Sequence, residues 1–197
     1  MLNTREKILD AFERFVIENN GKIPSNIELA QFAGVAKGAM YYHFKDKEAL
    51  IDLIIAKFVN QMKLNCTKIL SNSNMTALEK MAALFAFYLR KIKNQESFLY
   101  AKETDFPRQK ILKSYIFHLT PIITNVIDEG CSQQLFNCQH PAVVAEFLLS
   151  ELMISLDPTI FSFTDEELRK KMFGLSYIME KLLETSSNSF NFFFETI

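Results

Sequence analysis

Residues Ala33 to Leu50 read AGVAKGAMYYHFKDKEAL. The helical pattern upstream is interrupted for only about three residues, at Ala33-Gly34-Val35, the length and glycine content of the turn in a helix-turn-helix. Val35 is an apolar plug between the two helices, and Met40 and Phe44, spaced i, i+4, face one core. Lys37, Gly38, Tyr41, Tyr42 and His43 are left on the other side. Asp46 then caps a further helix, which carries Leu50, Leu53, Ile54 and Phe58 along one side and Ile51, Ile55 and Val59 along a second.

A helix N-terminus set in a DNA major groove brings its free amides near phosphate, and a glycine there lets the backbone approach closely, which is the physical case for Gly38. Lys37 in the first turn can reach a guanine edge or a phosphate, and the Tyr42 ring can touch thymine methyls or bond the DNA backbone. The opposing reading has Tyr41 and Tyr42 packing a small core, since aromatic residues are usually buried. The glycine turn, Lys37-Gly38 and Lys47 at matched offsets favour the DNA reading.

Upstream, Ile8, Leu9, Phe12, Phe15 and Val16 recur at helical spacing behind Thr4, the expected cap, and Asn19-Asn20-Gly21 is the expected stop. Ser25, three residues before Glu28, predicts a capping box and a short helix over about 25–32. Its hydroxyl can also donate to the DNA strand.

Downstream, Ser71 to Asn74 ends the fourth helix, and Thr76 with Glu79 opens a fifth. A short helix is expected over Ser97 to Glu103. A long one follows Pro107, kinked at Pro121 and stopped by Gly130. The helix opened by His140-Pro141 has almost no polar face and should be buried on two sides. Thr164 and Glu167 cap the last long helix, striped by Leu168, Met172, Leu175, Met179, Leu182 and Leu183. Together these two helices suit a four-helix bundle across a two-fold axis. Phe190, Phe192, Phe193 and Phe194 would be an aggregation hazard if free, so they are expected to pack on the body, a partner or the cavity.

The 197 residues, 49% hydrophobic with only 5 Gly and 5 Pro, indicate an all-α protein with ample core. Net charge is -1, and in residues 1–50 seven basic side chains meet seven acidic ones, so DNA contact must come from local geometry rather than a global field. The N-terminus has no signal-peptide core, and the longest apolar block, Met81 to Leu89, is too short to span a bilayer; a cytoplasmic protein is expected. Cys66, Cys131 and Cys138 make no disulfide framework.

Thr4 to Leu50 resembles the N-terminal domain of TetR-family transcriptional regulators. The resemblance is carried by Ile8-Leu9, Phe12 to Phe15, Gly21, Leu29-Ala30, Ala33-Gly34-Val35, Lys37-Gly38, Tyr41, His43-Phe44, Lys47-Glu48 and Leu50. It implies a helix-turn-helix DNA-binding domain over 1–50 and a helical ligand-binding and dimerisation domain over 51–197, with nine helices in all. It also implies a homodimer, paired through the last two long helices, that binds a palindromic double-stranded operator. A small-molecule effector would release it by moving the fourth helix, and repression is the usual outcome. By the same resemblance Tyr41 and His43 bind phosphates and Lys47 adds its charge, completing the set Ser25, Lys37, Gly38, Tyr41, Tyr42, His43 and Lys47. The sequence departs from the pattern at Ala36, which lacks the usual hydroxyl cap, and at Pro24-Ser25-Asn26.

For the effector, Phe85, Tyr88, Tyr115, His118 and Phe147 are the candidate contacts, within an aromatic lining that also draws on Phe87, Phe98, Tyr100 and Phe117. A small lipophilic or aromatic molecule fits that lining, and a solid core is the alternative. His118 beside Pro121 reads as a hydrogen-bonded core histidine ahead of a ligand contact. Cys131, Cys138 and His140 lack the close pairing and fourth ligand of a zinc site, so neither metal nor cofactor is expected. Asp165-Glu166-Glu167 reads as charge at a helix N-terminus. No nucleophile with its base and no phosphate loop is present, so an enzyme is not expected. Two other functions fit the sequence: a coregulator whose head contacts a protein, and a carrier of hydrophobic molecules.

Overall fold

A computed structural model describes residues 3–93 and 104–191, Lys93 by its backbone alone. The fold is all-α: α1 (Thr4–Glu18), α2 (Asn26–Ala33), α3 (Lys37–His43), α4 (Lys47–Leu70), α5 (Ala77–Lys93), α6 (Arg108–Ser132), α7 (Pro141–Ser155) and α8 (Asp165–Leu182). The helix expected over Ser97 to Glu103 lies outside the described residues, as do Phe192, Phe193 and Phe194. No helix among the described residues is long and apolar enough to cross a membrane.

The chain forms two compact units, Met1–Gln61 with Gln95–Ser114, and Met62–Asn94 with Tyr115–Ile197. In the first, α1, α2 and α3 pack together. Ile8, Phe12 and Val16 of α1 meet a core that includes Leu29, Met40, Phe44, Leu50 and Ile54, all buried. Each such side chain contributes about 1.5–3 kcal/mol through removal from water. The cap of α1 is Asn3 rather than Thr4. Its side chain accepts from Glu6 N at 2.9 Å and its own amide donates to the Glu6 carboxylate at 2.9 Å. A capping box needs Glu three residues on, and Thr4 has Lys7 there. At the other end the stop is as expected: Asn20 and Gly21 take φ of 52° and 85°.

Both apolar sides of α4 are buried, through Leu50 and Ile54 on one and Ile51, Ile55 and Val59 on the other. Its cap is Asp46, which accepts from Ala49 N at 2.7 Å. Lys57 pairs with Glu13 of α1, and Lys110, in the first turn of α6, pairs with Glu48 and Asp52 of α4.

In the second unit, Thr76 and Glu79 form the expected box before α5, and Thr164 and Glu167 do so before α8, whose first turn carries Asp165, Glu166 and Glu167. Gly130 does not stop α6. The helix runs two residues further to Ser132, and the reversal falls on Gln134 at φ 58°. Leu135 N and Phe136 N then return to the Gly130 carbonyl at 2.9 and 3.2 Å. Glycine is needed here for room: a Cβ would lie 2.0 Å from the Phe136 ring. Phe136 stacks on fully buried Phe190 at 6.3 Å, and Ser176 donates to the Phe190 carbonyl at 3.0 Å. The one described phenylalanine of the terminal cluster thus packs on the body.

Within the single chain one side of α7 is buried and the other is open. Ala145, Leu148, Leu149 and Met153 are buried, but Val143, Phe147 and Ile154, spaced four and seven apart, stand exposed. On α8, Met172, Leu175, Met179 and Leu183 point inward, while Phe173, Tyr177 and Ile178 are exposed.

Candidate nucleic-acid interface and apolar cavity

The turn between α2 and α3 is built by Gly34 in the left-handed region, φ 64°. Its amide and that of Val35 return to the last turn of α2, Val35 N reaching the Ala30 carbonyl at 3.0 Å. This conformation favours glycine because other side chains meet their own backbone there. It sets α3 so that Met40 and Phe44 enter the core while the rest of the helix faces out. Lys37, Gly38, Tyr41 and Tyr42 are exposed, Tyr41 by 52% and Tyr42 by 84%, and His43 is half-buried. That exposure removes the reading in which the tyrosines fill a small core. The Tyr42 ring stands edge-on to His43, 5.0 Å between centroids.

Nothing lies within 4 Å of the Cβ that Gly38 lacks, so no neighbour in the protein requires glycine at that position. Ala36 takes the N-cap position of α3 and offers no side-chain bond, and in the first turn Ala39 N donates to the Ala36 carbonyl at 2.9 Å. Ser25 is exposed and caps α2, accepting from Glu28 N at 3.2 Å while its amide donates to Glu28 at 2.7 Å. An accepting hydroxyl still has its own proton to give. The Ser25 bonds, side-chain first, hold the Glu28 carboxyl below its ordinary value, and the positive charge of Lys47 adds to this. Lys47, half-buried, thus has an acid of the head in its field.

The expected effector residues divide differently. Within the second unit lies an apolar cavity of about 60 Å³. Phe85 and Tyr88 line it, with Met81, Leu84 and Phe87 from the same helix. Met62 and Cys66 enter from α4 and Leu119, Ile122 and Ile123 from α6, while α7 gives Leu148, Leu149, Leu152 and Met153 and α8 gives Met179. Tyr115, His118 and Phe147 are not in this lining. Tyr115 is buried elsewhere, whereas Phe147 is 49% exposed and Phe117 73%. The phase of α6 explains the difference: Tyr115, Leu119, Ile123 and Val126 turn inward, so 117 and 118 turn out. His118 is exposed, its ring edge-on to Phe117 at 5.1 Å, and is not a core histidine. Phe98 and Tyr100 lie outside the described residues.

The lining that sequence reasoning missed is methionine and aliphatic. Its signal was present as Met62 and Cys66 at i, i+4 and as the unbroken apolar run of α7, but such residues equally mark an ordinary core. Cys66 is buried, and burial pushes its thiol up to about 11. Cys131 and Cys138 are half-buried and free. Among the described residues no group of three or more His, Cys, Asp or Glu is placed to hold a metal ion.

Residues 27–54 match the family described as bacterial regulatory proteins, tetR family. A segment of 54 residues is 41% identical to the transcriptional repressor BepR of Brucella suis, covering 27% of this chain and 26% of that protein; the match thus spans about a quarter of the curated relative's length. Over the whole chain the fold is similar to the reduced form of NemR from E. coli, with a TM-score of 0.63 at 16% identity, covering 94% of this chain and 100% of that one. It is also similar to AibR in complex with isovaleryl coenzyme A and operator DNA, TM-score 0.54 at 16% identity, covering 93% and 100%.

Proposed function

We propose that this chain, whose residues 27–54 match the tetR family of bacterial regulatory proteins, is a ligand-responsive transcriptional repressor rather than an enzyme. It binds a palindromic operator as a homodimer. The observation that carries this reading is the outward face of α3, where two exposed tyrosines stand beside Lys37 and Gly38 in a head with no net charge. Exposed tyrosines beside a lysine and an open glycine at a helix start suit a base edge or a sugar-phosphate strand. Tyr41, His43 and Lys47 hold phosphates, Lys37 and Tyr42 reach the groove, and Ser25 donates from the start of α2.

Residues 1–50 form the DNA-binding part and 51–197 the effector and dimer part. The exposed apolar side chains of α7 and α8, Val143, Phe147, Ile154, Phe173 and Tyr177, are the face on which a second copy packs. The AibR structure, holding an acyl thioester and operator DNA together, is a precedent for a small ligand and DNA sharing this fold. Here Phe85 and Tyr88 are the effector contacts best supported by their place in the cavity wall.

The test is retardation of palindromes selected from a random library, with Tyr42→Ala and Lys37→Ala beside the unaltered protein. Each substitution removes an exposed side chain, so folding should be unchanged while operator affinity falls by at least roughly 10-fold, the scale of one good base contact. Steep loss of affinity with added salt is expected too. Retardation unaffected by both substitutions would refute the assignment of the head.

A further inference from the structure

None of the fifteen described residues around the cavity is Asp, Glu, Lys, Arg or His. Its heteroatoms are four thioethers, from Met62, Met81, Met153 and Met179, the Cys66 thiol and the Tyr88 hydroxyl. The thiol stays protonated at neutral pH, so none of these described wall groups carries charge. A carboxylate, phosphate or ammonium placed inside would therefore be desolvated with no opposite charge to meet it, and one phenol and one thiol cannot replace its hydration. Size bears equally on the occupant. About 60 Å³ is well under the roughly 150 Å³ that accommodates benzene in an apolar protein cavity. Anything larger than a few atoms must displace wall side chains. Unbranched methionines give way most readily, and their sulfurs make favourable contacts with aromatic ring edges.

We propose that this cavity binds small, uncharged, oxygen-poor aromatic molecules, that the four methionines are the walls that move to admit them, and that charged molecules of the same shape are excluded. The proposal rests on the repressor reading only for its consequence at DNA. The binding itself stands on the lining.

Methyl-labelled methionine in the full chain provides the readout, with toluene, benzoate and benzylammonium as probes. Toluene should shift the Met62, Met81, Met153 and Met179 methyl signals and saturate, while benzoate and benzylammonium should bind at least 100-fold more weakly or not at all. The double substitution Met153→Leu with Met179→Leu keeps volume and removes adaptability, so it should weaken toluene binding several-fold in a protein that still melts cooperatively. Absent toluene shifts, shifts confined to exposed sites, or equal binding of benzoate would overturn the proposal. Toluene binding that leaves operator retardation unchanged would support the cavity assignment and overturn the effector part of the repressor reading. Loss of retardation without methyl shifts would do the reverse.

Discussion

The head and the second unit use the same residue types to opposite ends. In the head, Tyr41 and Tyr42 stand in solvent on α3 and Gly38 has open space above it. In the second unit, Phe136 and Phe190 are stacked inside and Gly130 lies beneath a ring. An aromatic residue or a glycine therefore carries no meaning by type alone. What surrounds it decides whether it serves packing or a surface, and substitution separates the two.

Gly130→Ala should have the largest effect. The new Cβ would overlap the Phe136 ring, which cannot yield without disturbing Phe190, so unfolding free energy should drop by about 1–3 kcal/mol, the usual cost of overpacking. Urea unfolding measures it, and an unchanged midpoint would break the comparison on the buried side. A smaller effect is expected where the two units are alike. Glu28 in the head and Glu79 and Glu167 in the body all have carboxyls held below the ordinary 4.5 by their capping partners. For Glu28 the Ser25 side-chain bond leads, and for the others the backbone amides of Thr76 and Thr164. A folded-state value below the unfolded one means that the stabilisation is present above about 4.5 and is lost as pH falls through the depressed value. Replacing all three by Gln, which keeps the box geometry but does not titrate, should flatten the acid limb of a stability-against-pH curve below that point. A limb as steep as before would show that other carboxylates dominate.

Gly38→Ala is the smallest change in stability and the sharpest contrast. Alanine in a helix is favoured over glycine by about 0.5–1 kcal/mol, and no neighbour obstructs it. The variant should melt slightly higher yet bind operator more weakly, because the Cβ occupies the space a DNA backbone needs. Destabilisation would instead make Gly38 a packing residue like Gly130.

The head was legible because its signals are local. The glycine turn, the Ser25-Glu28 box and the i, i+4 pair Met40-Phe44 each act over a few residues, and each appears in place. The missed cap of α1 was local too, since Asn3-Glu6 satisfied the spacing and Thr4-Lys7 did not. The cavity was less legible because its wall is assembled from five helices whose phases are set by tertiary packing. A rotation of α6 by one residue's angle, about 100°, separates a lining residue from an exposed one, and composition gives no hint of it. Aromatic content pointed to Phe117 and Phe147, and both face out. Gly130 was misread for a related reason, as a helix stop cannot be told from a close approach until Phe136 is seen above it.

The seating of Phe190 has a further consequence for biosynthesis. Helices α1 to α3 of the head lie first in the chain and the unit is completed by residues 95–114, so it can pack well before synthesis ends, in keeping with the tendency of N-terminal domains to fold first. The second unit cannot close its core until residue 190 has emerged, because Phe136 lacks its stacking partner and Ser176 its acceptor before then. A nascent chain therefore completes the surface proposed to read DNA while the body is still open, and the proposed effector cavity is finished last.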